Sequence, residues 1–90
     1  MKKVFEAIYE GHRIQVENRW FSGEKLYVDG ELQDENLGVA FRGTLNGRIR
    51  NKGNGSKSIK VALGGFFSVH CKVFVDNILV PSYPIKTMQL

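Results

Sequence analysis

Apolar and polar residues alternate along most of this chain, and turn dipeptides interrupt the alternation at short intervals. Ile14 and Val16 share a face, as do Leu26 and Val28, and Ile59, Val61 and Leu63. The longest run sets Phe67, Val69, Cys71, Val73 and Val75 against Ser68, His70, Lys72 and Phe74. A period of two sends successive side chains to opposite sides of a strand, so the pattern is that of half-buried antiparallel strands. Glu10-Gly11, Asp29-Gly30, Asn46-Gly47, Gly64-Gly65 and Asp76-Asn77 separate the runs. Such dipeptides accept the positive φ angles that tight hairpin turns require. The reading predicts strands near 3–9, 13–18, 24–28, 31–34, 39–45, 48–52, 58–63, 66–75 and 78–81, and no stretch sustains a helical period. Eight or nine short strands joined mostly by hairpins predict an all-β fold, an antiparallel β-sandwich or a small barrel.

Residues 1–90 then form one domain. Its one loop candidate, Asn51 to Lys57, is glycine-rich and basic, and Pro81 and Pro84 are expected to end the last strand and leave a loosely held tail from about residue 84. Ile14-Gln-Val16 followed by Leu26-Tyr-Val-Asp-Gly30 is echoed by Ile59-Lys-Val61 followed by Val73-Phe-Val-Asp-Asn77, with a spacing that differs by two residues. Two readings stay open for this echo. One is a duplication; the other is two hairpins obeying the same pleat-and-turn rules.

Composition narrows the function classes. With ninety residues the core is thin, and a deep pocket for a large cofactor would consume much of it. Cys71 is the single cysteine, so no intrachain disulfide forms, and a reducing compartment is expected. Met1-Lys-Lys opens like a leader peptide, but Glu6, Glu10 and Gly11 interrupt the apolar stretch that would follow. No run approaches the length of a membrane span. The expectation is a cytoplasmic protein with no membrane contact.

Candidate chemistry is sparse. His12 and His70 are the only histidines, and with one cysteine they do not make a zinc site, so no metal and no cofactor is expected. His70 and Cys71 are neighbours on a strand and point to opposite faces, which removes the pairing a cysteine nucleophile needs. Cys71 reads instead as a small buried hydrophobe. The carboxylates are dispersed, so no pair shares a cleft for acid–base work. Gly53-Asn-Gly-Ser-Lys57 lacks the four-residue spacer and the following helix of a phosphate loop. The chain is not expected to be an enzyme.

Charge is distributed unevenly. Residues 1–36 balance to −3, residues 37–90 to +7, and no acid lies between Glu35 and Asp76. Arg42, Arg48, Arg50, Lys52, Lys57 and Lys60 fall in this acid-free stretch, and Arg48, Arg50 and Lys52 alternate as a row on one strand face. Such a row either tracks a polyanion or protects a sheet edge from aggregation. Trp20 and Phe21, in a connection, either cap one end of the fold or anchor a partner.

The stretch His12-Arg-Ile-Gln-Val-Glu-Asn-Arg-Trp-Phe-Ser-Gly-Glu-Lys-Leu-Tyr-Val-Asp-Gly30 resembles a segment of the Fas apoptotic inhibitory molecule family. There a similar His-basic-Ile-x-hydrophobic-Glu strand leads through Ser-Gly to a Val-Asp-Gly hairpin. Val73-Phe-Val-Asp-Asn77 and Val80-Pro81 also look like that family's strand ends. The resemblance implies a compact antiparallel β-sandwich and a non-enzymatic role through protein contacts. The chain is shorter than the family's paired domains and its basic segment has no counterpart there, so no functional residue is carried over. The leading expectation is therefore a protein partner, self-association into a homodimer being one form of it. The alternative is nucleic-acid or other polyanion binding through residues 42–60.

Overall fold

The computed structural model describes residues 2–19, 23–36, 42–50, 55–64 and 70–85. Nine strands follow one another: β1 (Lys2–Tyr9), β2 (His12–Arg19), β3 (Gly23–Val28), β4 (Glu31–Asn36), β5 (Arg42–Arg50), β6 (Ser56–Gly64), β7 (His70–Val75), β8 (Ile78–Val80) and β9 (Tyr83–Ile85). They pair antiparallel in two sheets, ordered β4-β3-β2-β1-β9 and β5-β6-β7-β8. The inward faces pack together as an antiparallel β-sandwich. Ile14, Val16 and Leu26 from one sheet meet Leu45, Ile59, Val61 and Val73 from the other, all essentially solvent-free. Each such side chain contributes about 1.5–3 kcal/mol by leaving water.

Three of the expected turns are tight hairpins. Glu10 and Gly11, Asp29 and Gly30, and Asp76 and Asn77 all take positive φ, the geometry that matches the twist of the flanking strands. Gly64 ends β6, and Gly65 lies outside the described residues. Asn46-Gly47 is a correction. It is not a turn; β5 runs through it unbroken, with Asn46 facing Lys60 and Gly47 facing Ile59. The two strands expected on either side of it are therefore one strand. Ser56 and Lys57, expected in the loop, begin β6. Tyr83–Ile85, placed by the sequence reading around the start of a loose tail, pairs with Val4, Phe5 and Glu6 of β1. Pro84 is tolerated there because β9 is the outermost strand of its sheet.

The sequence echo has a structural counterpart. Both β1–β4 and β5–β8 are up-and-down meanders, and β4 lies beside β5 while β8 lies nearest β1. Across the outer face of the first, Glu6, Gln15, Tyr27 and Leu32 face one another in register. Asn46, Lys60, Phe74 and Leu79 do the same across the second. The two halves are thus equivalent strand for strand, and Ala7 of β1 corresponds to Gly47 of β5.

One side of the sandwich is sealed by side chains. The β3–β4 pairing shifts register between Leu26 and Tyr27, so Gln33 is an extra residue. Such a bulge re-aims the side chains beside it. The Gln33 amide then behaves like a strand peptide group toward β5, accepting from the Arg48 N–H at 2.7 Å and donating to the Arg48 carbonyl at 2.9 Å. Asp34 accepts from the Asn46 N–H at 2.8 Å, and Asn36 donates to the Thr44 carbonyl at 3.3 Å. A strand edge that would otherwise invite pairing is occupied.

Candidate functional site

Alternation along β5, β6 and β7 buries Leu45, Ile49, Ile59, Val61, Val73 and Val75, which turns the residues between them outward. That outer face carries Arg48 and Arg50 from β5, Lys60 from β6, and Lys72 and Phe74 from β7. In register, Lys60 stands opposite Phe74, Lys72 opposite Ala62, and Arg48 opposite Ser58. Neighbouring strands are about 4.8 Å apart and alternate residues about 7 Å apart, so Lys60 and Lys72 are the nearest cationic positions to Phe74, with Arg48 and Arg50 two strands away on β5. Arg48 donates to Ser56 Oγ at 3.0 Å and is held along the strand. Among the described residues, Arg50, Lys60 and Lys72 make no ion pair.

The acid of the β7–β8 turn is engaged elsewhere. Asp76, in the β7–β8 turn, accepts from the Ser58 N–H at 2.8 Å and from Ser58 Oγ at 3.3 Å. The outer face of the five-stranded sheet is different. It carries Tyr27 and Leu32 at the corresponding positions, but its charges cancel in pairs, with Arg13 3.3 Å from Glu6 and Arg19 3.2 Å from Glu17. One scaffold therefore presents a neutralised face and a cationic one.

The sequence candidates divide accordingly. Arg48, Arg50 and Lys60 share the outer face. Lys57 does not: it lies on the inward side of β6, opposite Ile49, where its Nζ donates to the Tyr9 hydroxyl at 2.9 Å and to Glu10 at 3.4 Å. The hydrogen bond to Tyr9, helped by Glu10, holds its pKa above the ordinary 10.5 against the opposing effect of desolvation. Arg42 lies in β5, where its backbone faces Gly64. Lys52, Trp20 and Phe21 lie outside the described residues. Lys72 and Phe74, not singled out from the sequence, complete the face; their alternation with Val73 was the available signal, but only the β6–β7 register joins them to Lys60.

An open cleft of about 640 Å³ lies between the β3–β4 hairpin and β5. Asp29 and Glu31 line it together with Arg48 and Arg50, so its charges offset and it favours no anion over a cation. His12, at the start of β2 beside the Glu10-Gly11 turn, places Nδ1 2.7 Å from the Asp29 carboxylate. Cys71 packs against the core at partial exposure, and burial pushes its thiol up to about 12. Glu24, buried at 3% exposure, accepts hydrogen bonds from Asn18 and Asn36, both at 3.3 Å. Among the described residues no three His, Cys, Asp or Glu side chains cluster as metal ligands, and no helix is long and apolar enough to cross a membrane.

No family model matches the chain, and no curated protein or solved structure matches it. The likeness of residues 12–30 to the Fas apoptotic inhibitory molecule family therefore rests on those residues alone.

Proposed function

We propose that this protein is a non-enzymatic polyanion-binding module whose working surface is the outer face of the β5–β8 sheet. The observation that carries the reading is the set Arg50, Lys60 and Lys72, unpaired cations among the described residues on a face where the carboxylate of Asp76 is held by Ser58. Edge protection, the competing explanation of the basic row, has less to explain, because Gln33, Asp34 and Asn36 already occupy the edge of β5. Phosphate contacts gain free energy mainly by releasing counterions, so affinity should depend steeply on salt. We place the activity in a reducing, intracellular compartment on the ground that Cys71 is the one cysteine.

A second reading, protein contact, is supported by β8. It is the outermost strand of its sheet, and Ile78 and Leu79 on it are 67% and 58% exposed. A partner strand, or a second copy of the chain, would add to that edge.

Titration of labelled oligonucleotide at increasing salt tests the first reading. Three or four contacts predict a slope of about −2 to −3 in log affinity against log salt. Replacing Arg50, Lys60 and Lys72 together with Glu should abolish binding at nearly unchanged melting temperature, since exposed charges add little to stability. Lys57→Met, on the inward side, should leave binding unchanged. Salt-insensitive self-association without polyanion binding would support the second reading instead.

A further inference from the structure

Resting on the polyanion reading, we infer that the ligand is a single-stranded nucleic acid, one base of which stacks on Phe74. Phe74 is the only Phe, Tyr or Trp on this sheet among the described residues, and it faces outward because Val73 and Val75 on either side are buried. A surface that gripped only phosphate would have no use for a flat apolar ring among its cations. Here Lys60 stands directly across from the ring, Lys72 lies two residues before it on the same face, and Leu79 extends the apolar surface on the other side. A base on the ring thus has Lys60 on the neighbouring strand, whose backbone is about 4.8 Å away, with a long side chain free to reach the phosphate of the same nucleotide.

The geometry selects among polyanions. A duplex keeps its bases stacked on one another and offers the ring nothing. An anionic membrane rewards apolar side chains that protrude, whereas Phe74 is half-buried, set into the sheet. A single strand presents unpaired π faces and closely spaced phosphates together, and stacking of this kind is tolerant of sequence. The fold also contains its own control. Tyr27 occupies the equivalent position on the other sheet, where Gln15 replaces Lys60 and the charges are paired.

Binding of an oligothymidylate about 12 nucleotides long should weaken at least about fivefold in Phe74→Leu, which keeps apolar volume and loses the ring. Affinity for inorganic polyphosphate should not change in that variant. Tyr27→Leu should leave both ligands bound as in the wild type, and Phe74→Trp should keep oligothymidylate affinity while showing tryptophan quenching beyond that of the wild type. The last readout stands even if Phe74→Leu folds poorly. Unchanged oligothymidylate affinity in Phe74→Leu, an equal loss for polyphosphate, or binding by Phe74→Trp without added quenching would each overturn the inference while leaving the polyanion reading in place. So would tighter binding of a duplex or of phosphatidylserine vesicles than of the single strand. If no polyanion binds at all, the underlying reading fails with it.

Discussion

The amide of Arg13 donates to the carboxylate of Asp29 at 2.9 Å, and the amide of Asp29 donates back to the Arg13 carbonyl at 2.8 Å. Ser58 and Asp76 repeat the arrangement at 2.8 Å and 2.9 Å on the other sheet. In both, an aspartate at positive φ in a two-residue turn uses its side chain to extend the pairing of a strand past the hairpin. The same residue type is asked for twice, once for its tolerance of left-handed backbone and once for its acceptor.

Asp29 makes this arrangement pH-dependent. The hydrogen bond from His12, then that from the Arg13 amide, lowers its pKa from the ordinary 3.8. A carboxyl depressed on folding adds stability that is fully present above its unfolded pKa and is lost as pH falls through the folded one. Melting temperature followed downward from neutral pH should therefore decline below about pH 4. Asp29→Asn, which keeps an acceptor oxygen but cannot titrate, should flatten part of that decline. An acid limb identical in the two proteins would contradict the assignment.

Gly47 is required by close approach. A Cβ there would lie 2.7 Å from Gln33 Oε1 and 3.0 Å from Leu26 Cδ2. Leu26 is fully buried and Gln33 is committed to the Arg48 backbone, so neither yields freely. Gly47→Ala should destabilise by about 1–3 kcal/mol in denaturant unfolding. Because the clash and the Gln33 bond share an atom, Gly47→Ala combined with Gln33→Ala should cost less than the two single changes added. Strict additivity would show that the Gln33 contact is not what Gly47 protects.

These two residues also mark what the sequence could and could not reveal. Most strand positions and the three tight hairpins were legible because period-two alternation and turn dipeptides are local signals. Asn46-Gly47 carries the strongest local hairpin signal and was misread, because the glycine serves a contact with β4 that lies outside its own neighbourhood. Lys57 follows the same logic: its place in a basic, glycine-rich run suggested a loop, while strand parity puts it beside Tyr9. The cationic face was half visible. Arg48, Arg50 and Lys60 stood out by charge, but Lys72 and Phe74 join them through a pairing register that no short stretch encodes.

Cys71 should behave as packing rather than as a nucleophile. Burial holds the thiol protonated, with a pKa pushed up to about 12, and it touches the hydrophobic core. Thiol reagents at neutral pH should label it slowly in the folded protein and rapidly in denaturant. Cys71→Ser should cost about 1–2 kcal/mol, from placing a hydroxyl where a sulfur packs. Fast labelling of the native protein would refute this.

The placement of the ligand on one face of one sheet is tested most directly by amide chemical-shift mapping during titration with a short oligothymidylate. The largest shifts should fall on Arg48, Arg50, Ser58, Lys60, Ala62, Lys72 and Phe74, on the outer face of β5 to β7. Gln15, Lys25 and Tyr27, on the neutralised face, should stay unmoved. Shifts concentrated on the β1–β4 sheet, or on Val28, Asp29, Glu31 and Gln33 with Lys60, Lys72 and Phe74 unmoved, or none at any concentration, would contradict the account.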